Sequence, residues 1–156
     1  MLKNALQKVV QTLDKNEVPY ALIGGLAVAA HGAVRATEDV DLLIDWPMTS
    51  AKELVSRLAR EGHAAIFRKG ASDDPVVGVI CVSVAGTQGP ITVDLLFPSK
   101  AWQKTMVSNA GILDLEGFPV RVARAEDLFL LKLYAGGPQD LLDAANLLCK
   151  EGPDTR

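Results

Sequence analysis

The apolar positions of this chain change period several times, and each change marks a new element. Leu2, Ala5, Leu6, Val9, Val10 and Leu13 recur at helical spacing with Lys3, Lys8, Gln11 and Asp14 between them, which predicts an amphipathic first helix. Asn16, Glu17 and Pro19 break it, and Tyr20 to Ile23 read as a short strand that ends in Gly24-Gly25. Leu26 to His31, rich in alanine, predicts a short helix packed closely on a sheet and closed by Gly32. From Asp39 to Asp45 the period becomes two, with Val40, Leu42 and Ile44 turned to a core and Asp39 and Asp41 on the opposite face.

Pro47 then predicts a turn, and Ser50 to Glu53 reads as a capping box for a helix that buries Leu54, Val55, Leu58 and Ala59 and stops at Gly62. Ala64 to Phe67 predicts a short strand and Arg68 to Asp74 a polar loop. Pro75 to Ala85 and Ile91 to Phe97, joined by a Gly86 to Pro90 turn, predict a hairpin. Ser99 is expected to cap a helix through Asn109 with Trp102, Met106, Val107 and Ala110 as its apolar stripe. Ile112 to Ala123, broken at Glu116-Gly117, predicts two more strands. Ala125 to Ala135 is an apolar helix, and Gly137-Pro138 opens a last one with Leu141, Leu142, Ala145 and Leu148 expected inside and Asp140 and Asp143 one turn apart.

Composition narrows this to one domain over residues 1–150, with Glu151 to Arg156 as a frayed tail. With 49% apolar and 22% charged residues the profile is that of a folded chain, and a net charge of -3 argues against a surface that coats nucleic acid. Cys81 and Cys149 are too few for a disulfide or metal framework and are expected as buried free thiols. No apolar run approaches the ~20 residues that span a bilayer, and no signal-peptide core is seen at the start, so cytoplasmic residence is expected.

Three aspartates change the picture from fold to chemistry. Aspartate is a poor strand former, and two same-face anions about 7 Å apart repel, so Asp39 and Asp41 imply a positive group between them. Solvation at the start of a strand is the plain alternative. Asp94 stands in the apolar strand ITVDLLF, where an ionised carboxylate is costly unless it is paired or bound to metal. A basic residue from a neighbouring helix would serve; so would a cation shared with Asp39 and Asp41. Gly24-Gly25 would let a phosphate approach the backbone, or would simply make a tight turn. Lys132, the one basic residue inside its apolar helix, either snorkels to solvent or reaches toward phosphates.

With Gly24-Gly25, Asp39-x-Asp41 and Asp94 in place, the chain resembles the nucleotidyltransferase superfamily that shares its core with DNA polymerase β. The run Arg35 to Asp41, and Glu126-Asp127-Leu128 with Lys132 and Asp140, look like the small branch that includes abortive-infection nucleotidyltransferase toxins. The resemblance runs from about Pro19 to Leu148 and implies an α/β (α+β) fold, a mixed sheet flanked by helices. It implies that Asp39, Asp41 and Asp94 hold two Mg²⁺ ions, with Asp94 also helping to deprotonate an acceptor hydroxyl. Gly24, Gly25, Lys132 and Arg35 would bind the nucleoside triphosphate. The acceptor implied is RNA, tRNA included, a protein or a small molecule. A partner in a toxin-antitoxin pair, or a homo-oligomer, is a further implication. A non-catalytic binding or antidote module on the same fold stands as the alternative, set against by all three acidic positions being filled.

Overall fold

The computed structural model describes residues 2–32, 39–70, 77–115 and 117–154. Arg35 falls outside them, as do Pro75 and the side chains of Leu148 and Cys149. One seven-stranded sheet runs through the molecule. Its strands are β1 (Tyr20–Ile23), β2 (Val40–Ile44), β3 (Ala64–Lys69), β4 (Gly78–Val84), β5 (Ile91–Leu96), β6 (Gly111–Leu115) and β7 (Phe118–Val122), in the order β3-β4-β5-β2-β1-β7-β6. The pairs β2–β5 and β1–β7 are parallel and the others antiparallel, so the sheet is mixed, as expected. Helices α1 (Leu2–Lys15), α2 (Gly24–Ala30), α3 (Ala51–Arg60), α4 (Ala101–Ser108), α5 (Ala125–Ala135) and α6 (Pro138–Asp154) flank it.

The alternation in β2, β4 and β5 builds the core. Val40, Leu42, Ile44, Ile80, Val82, Val93 and Leu95 are all fully buried on one face. α1 lies against β5 and α3 against β3, while α2 and α4 pack on β1 and β2. The opposite face of the same strands carries the polar residues, and there the carboxylates stand. No described helix is long and apolar enough to cross a membrane.

Several local expectations give way to packing. β3 continues to Lys69 because Arg68 and Lys69 find partners in Val79 and Gly78, so their backbone pairs although their side chains are polar. Ser50 makes no side-chain cap to α3, since a short 3-10 turn, Met48–Ser50, precedes it, and Glu53 turns to Arg57 Nη2 at 2.6 Å instead. At α4 the N-cap is Lys100 rather than Ser99; the buried Gln103 reaches back to accept from the Ser99 and Lys100 N–H groups at 2.6 and 3.1 Å. Trp102 leaves the expected buried stripe, lies 37% exposed, and meets Tyr134 edge-on. α6 is rotated from its expected face: Asp143, Ala144 and Leu147 are buried, while Leu141 and Leu142 are 49% and 54% exposed. An ion pair with α5 sets that rotation.

Candidate active site

The site begins with strand register. β2 and β5 are parallel neighbours with Asp41 opposite Asp94, and β5 pairs with β4 so that Cys81 stands opposite Asp94. Ile23 of β1 faces Asp41, and Ile66 of β3 faces Cys81. One row across the sheet therefore reads Ile23, Asp41, Asp94, Cys81, Ile66, with two carboxylates side by side at its centre.

Asp94 is held at a cost. Its Oδ1 is buried without a hydrogen-bond partner. Burial pushes its carboxyl above the ordinary carboxylate value; the Cys81 thiol hydrogen bond opposes this, the nearby Asp39 charge adds to it, and Arg68 opposes it weakly. The same contact and burial push the Cys81 thiol up. Asp94 has no lysine or arginine partner from a described helix. Among the described residues, Arg68 of β3 exerts a cationic influence on it.

Asp39 is exposed and lies one residue before the first paired position of β2. Among the described residues no three His, Cys, Asp or Glu side chains gather closely enough to hold a metal ion. The donor set nonetheless suits a hard divalent cation: it is all oxygen, it is anionic, and one buried oxygen lacks a partner.

Gly24 is fixed by the same row. Its φ is +74°, in the left-handed region, and a Cβ there would collide with Asp41 Oδ2. α2 begins at the glycines themselves rather than at Leu26, which brings the backbone against the carboxylate. Gly25 is buried beside it in the first turn of α2. His31 closes the other end, its Nε2 2.8 Å from the Ala123 carbonyl oxygen, a structural contact.

Gly24 and Asp41 line a cavity of about 240 Å³ together with Leu43, Leu96, Gln103, Tyr134, Lys132 and Asp140. Lys132 does not snorkel. Its side chain is 10% exposed, with Nζ 3.1 Å from Asp143 Oδ2 and 3.5 Å from Asp140 Oδ1. The structure thus brings Gly24, Asp41 and Lys132 to one cavity and sets Asp94 next to Asp41. Sequence reasoning passed over Cys81 and Gln103 in this region. Their types carry no signal; only the hairpin register, countable from the Gly86 to Pro90 turn, puts Cys81 beside Asp94.

No family model and no curated protein matches the chain. Solved structures do. ANT(2")-Ia in complex with adenylyl-2"-tobramycin superposes with a TM-score of 0.60 at 16% identity, covering 97% of this chain and 90% of that one. A Thermotoga maritima protein assigned as a nucleotidyltransferase gives 0.59 at 16% identity, covering 94% and 89%. The lincosamide antibiotic adenylyltransferase LnuA, with lincomycin bound, gives 0.54 at 12%, covering 91% and 93%. At such identities the likeness is one of architecture, and it extends over nearly the whole of each chain: this protein has the nucleotidyltransferase fold.

Proposed function

We propose that the chain is a nucleotidyltransferase that moves a nucleoside monophosphate from a nucleoside triphosphate to a hydroxyl of a small-molecule acceptor. The observation that carries this is the in-register pair Asp41 and Asp94, with a buried unpartnered oxygen on Asp94 and the Gly24 backbone pressed against Asp41. A structural strand has no use for such a pair. Asp39, Asp41 and Asp94 would hold Mg²⁺, two ions in this reading, which would neutralise phosphate charge and stabilise the attacking and leaving oxygens.

The chain's own groups supply the rest. Asp94, beside Asp41 in the ladder, takes the proton of the acceptor hydroxyl in this reading. The acceptor oxygen bonds to the α-phosphorus as the α–β anhydride bond breaks, and pyrophosphate leaves. Gly24 gives the phosphates room, Lys132 offers positive charge in the same cavity, and Gly25 and Arg35 complete the proposed nucleotide set. Because no protein nucleophile is needed, positioning and charge neutralisation do most of the catalysis.

A small acceptor is favoured over RNA or a protein on two grounds. Solved structures of similar fold include ones named for adenylyl-tobramycin and lincomycin. The cavity beside Asp41 also carries carboxylates, and the chain's net charge is -3, both unfavourable to a polyanion. A triphosphate donor puts the activity in the cytoplasm. The second reading, a non-catalytic module that pairs with another chain as in a toxin-antitoxin system, is favoured by Leu130, Leu133, Leu141 and Leu142, which lie exposed on α5 and α6.

Calorimetric titration of the four nucleoside triphosphates, with and without Mg²⁺, on the wild type and on Asp39→Ala decides between them. Metal-dependent binding lost in the variant supports the enzyme. No binding by any triphosphate removes it and moves the pairing module ahead.

A further inference from the structure

Lys132 is held by two carboxylates that differ in kind. Asp143 is fully buried, with its Oδ2 3.1 Å from Lys132 Nζ and its Oδ1 accepting from Gln139 Nε2 at 3.0 Å. Asp140 has a side chain 31% exposed, makes the longer 3.5 Å contact, and lines the cavity that Gly24 and Asp41 share. Asp140 holds the lysine by the longer contact from a partly exposed position, and it is the one that faces the cavity.

Asp140 also has somewhere to go. Its Oδ2 accepts from the Gly137 N–H at 3.3 Å, as the third residue of a helix does when it reaches back to the N-cap. Releasing Lys132 would leave that bond in place. Gly137 is what permits the close seat, since a Cβ there would stand 3.1 Å from Asp140 Oδ2.

We infer that Asp140 is the exchangeable partner of Lys132, and that a triphosphate entering the cavity takes its place on Nζ while Asp143 stays. The inference rests on the nucleotide-binding reading above and adds to it the residue that sets affinity. No covalent bond changes; one ion pair replaces another. Asp140 acts through Lys132, as a positioning and competing residue, and makes the lysine's charge available only to an anion strong enough to displace it.

The test uses tripolyphosphate with Mg²⁺, and ATP with Mg²⁺, titrated calorimetrically into the full chain. Asp140→Asn, which keeps the bond to Gly137, is expected to bind both about fivefold more tightly than the wild type, the scale of a half-exposed ion pair. Lys132→Met is expected to bind weakly, and adding Asp140→Asn to it should give no gain, because the competition acts only through the lysine. Asp140→Ser serves as a second variant if the amide disturbs the start of α6, checked by circular dichroism. Equal or weaker binding by Asp140→Asn and Asp140→Ser, with binding intact in the wild type, would overturn the exchange while leaving the nucleotide reading standing. No binding by wild type or variants would overturn both.

Discussion

Asp41 and Asp94 stand at the same level of two parallel neighbouring strands, each the other's nearest residue across the ladder. Two anions in that relation weaken a sheet, so the pair does not serve the fold, and the proposed function gives it a role. Asp41→Asn is therefore expected to lower nucleotidyl transfer by about a thousandfold, the scale on which lost transition-state charge stabilisation is felt, with no loss of melting temperature. Transfer assayed with labelled triphosphate, beside a thermal melt, reads both. Activity within a few-fold of the wild type would remove Asp41 from the site.

Asp94 gives a pH-dependent form of the same argument. Burial first, and then the Asp39 charge, raise its folded-state pKa, with the Cys81 hydrogen bond opposing. As pH rises through the ordinary carboxylate range, the unfolded chain releases this proton before the folded one does, so the fold loses stability until the raised folded pKa is passed. Asp94→Asn is expected to melt above the wild type at pH 7 in the presence of chelator, with the gain vanishing near about pH 3, where both states of the wild type carry the proton. Identical melts at pH 7 would show that Asp94 is not held against its charge.

Gly24→Ala tests the contact that seats Asp41. The substitution must accept φ of +74° and displace Asp41 Oδ2, so it is expected to cost about 2 kcal/mol of unfolding free energy. Urea unfolding measures the loss, and metal-dependent triphosphate binding should weaken with it. A variant as stable as the wild type would mean that Asp41 can turn away freely.

The sheet was legible because its strands announce themselves by period. Val40, Leu42 and Ile44 fix which face of β2 carries Asp41, and the Gly86 to Pro90 turn fixes the β4–β5 hairpin, so the adjacency of Asp41 and Asp94 required only that β5 lie beside β2. It does. Asp39 lies one residue before the first paired position of β2, and alternation alone does not say where pairing starts. The inner face of α6 was misread for an electrostatic reason. Counting leucines favours Leu141 and Leu142 inside, but burying Lys132 of α5 requires carboxylates facing it, and Asp140 and Asp143 turn the helix about that pair. Hydrophobic period alone carries no information about a buried charge on another element.

That buried pair should behave unlike a surface one. Asp143 is fully buried and Lys132 nearly so, and removing Asp143 leaves the lysine, away from water, with the longer contact to Asp140 in place of two carboxylates. Asp143→Ala is expected to lower stability by about 3 kcal/mol, far more than Asp140→Asn. Parallel urea melts of the two variants compare them directly. Equal losses would mean that the lysine does not distinguish its partners.

His63 supplies a pH effect remote from the carboxylates. It follows α3 with Nε2 3.3 Å from Thr12 Oγ1, and burial pulls its pKa below the usual histidine value, with Glu61 opposing and Lys8 reinforcing. In the window below about pH 6.5 the unfolded chain takes up this proton before the folded one does. The contribution of the neutral ring is thus complete above that value and is lost as pH falls through the lowered folded pKa. The wild type should lose melting temperature between pH 7.5 and pH 5.5 by more than His63→Gln does, because the amide keeps a polar contact to Thr12 and does not titrate. Scanning calorimetry on the two proteins across that range measures the difference, and matching slopes would place the acid sensitivity of the fold elsewhere.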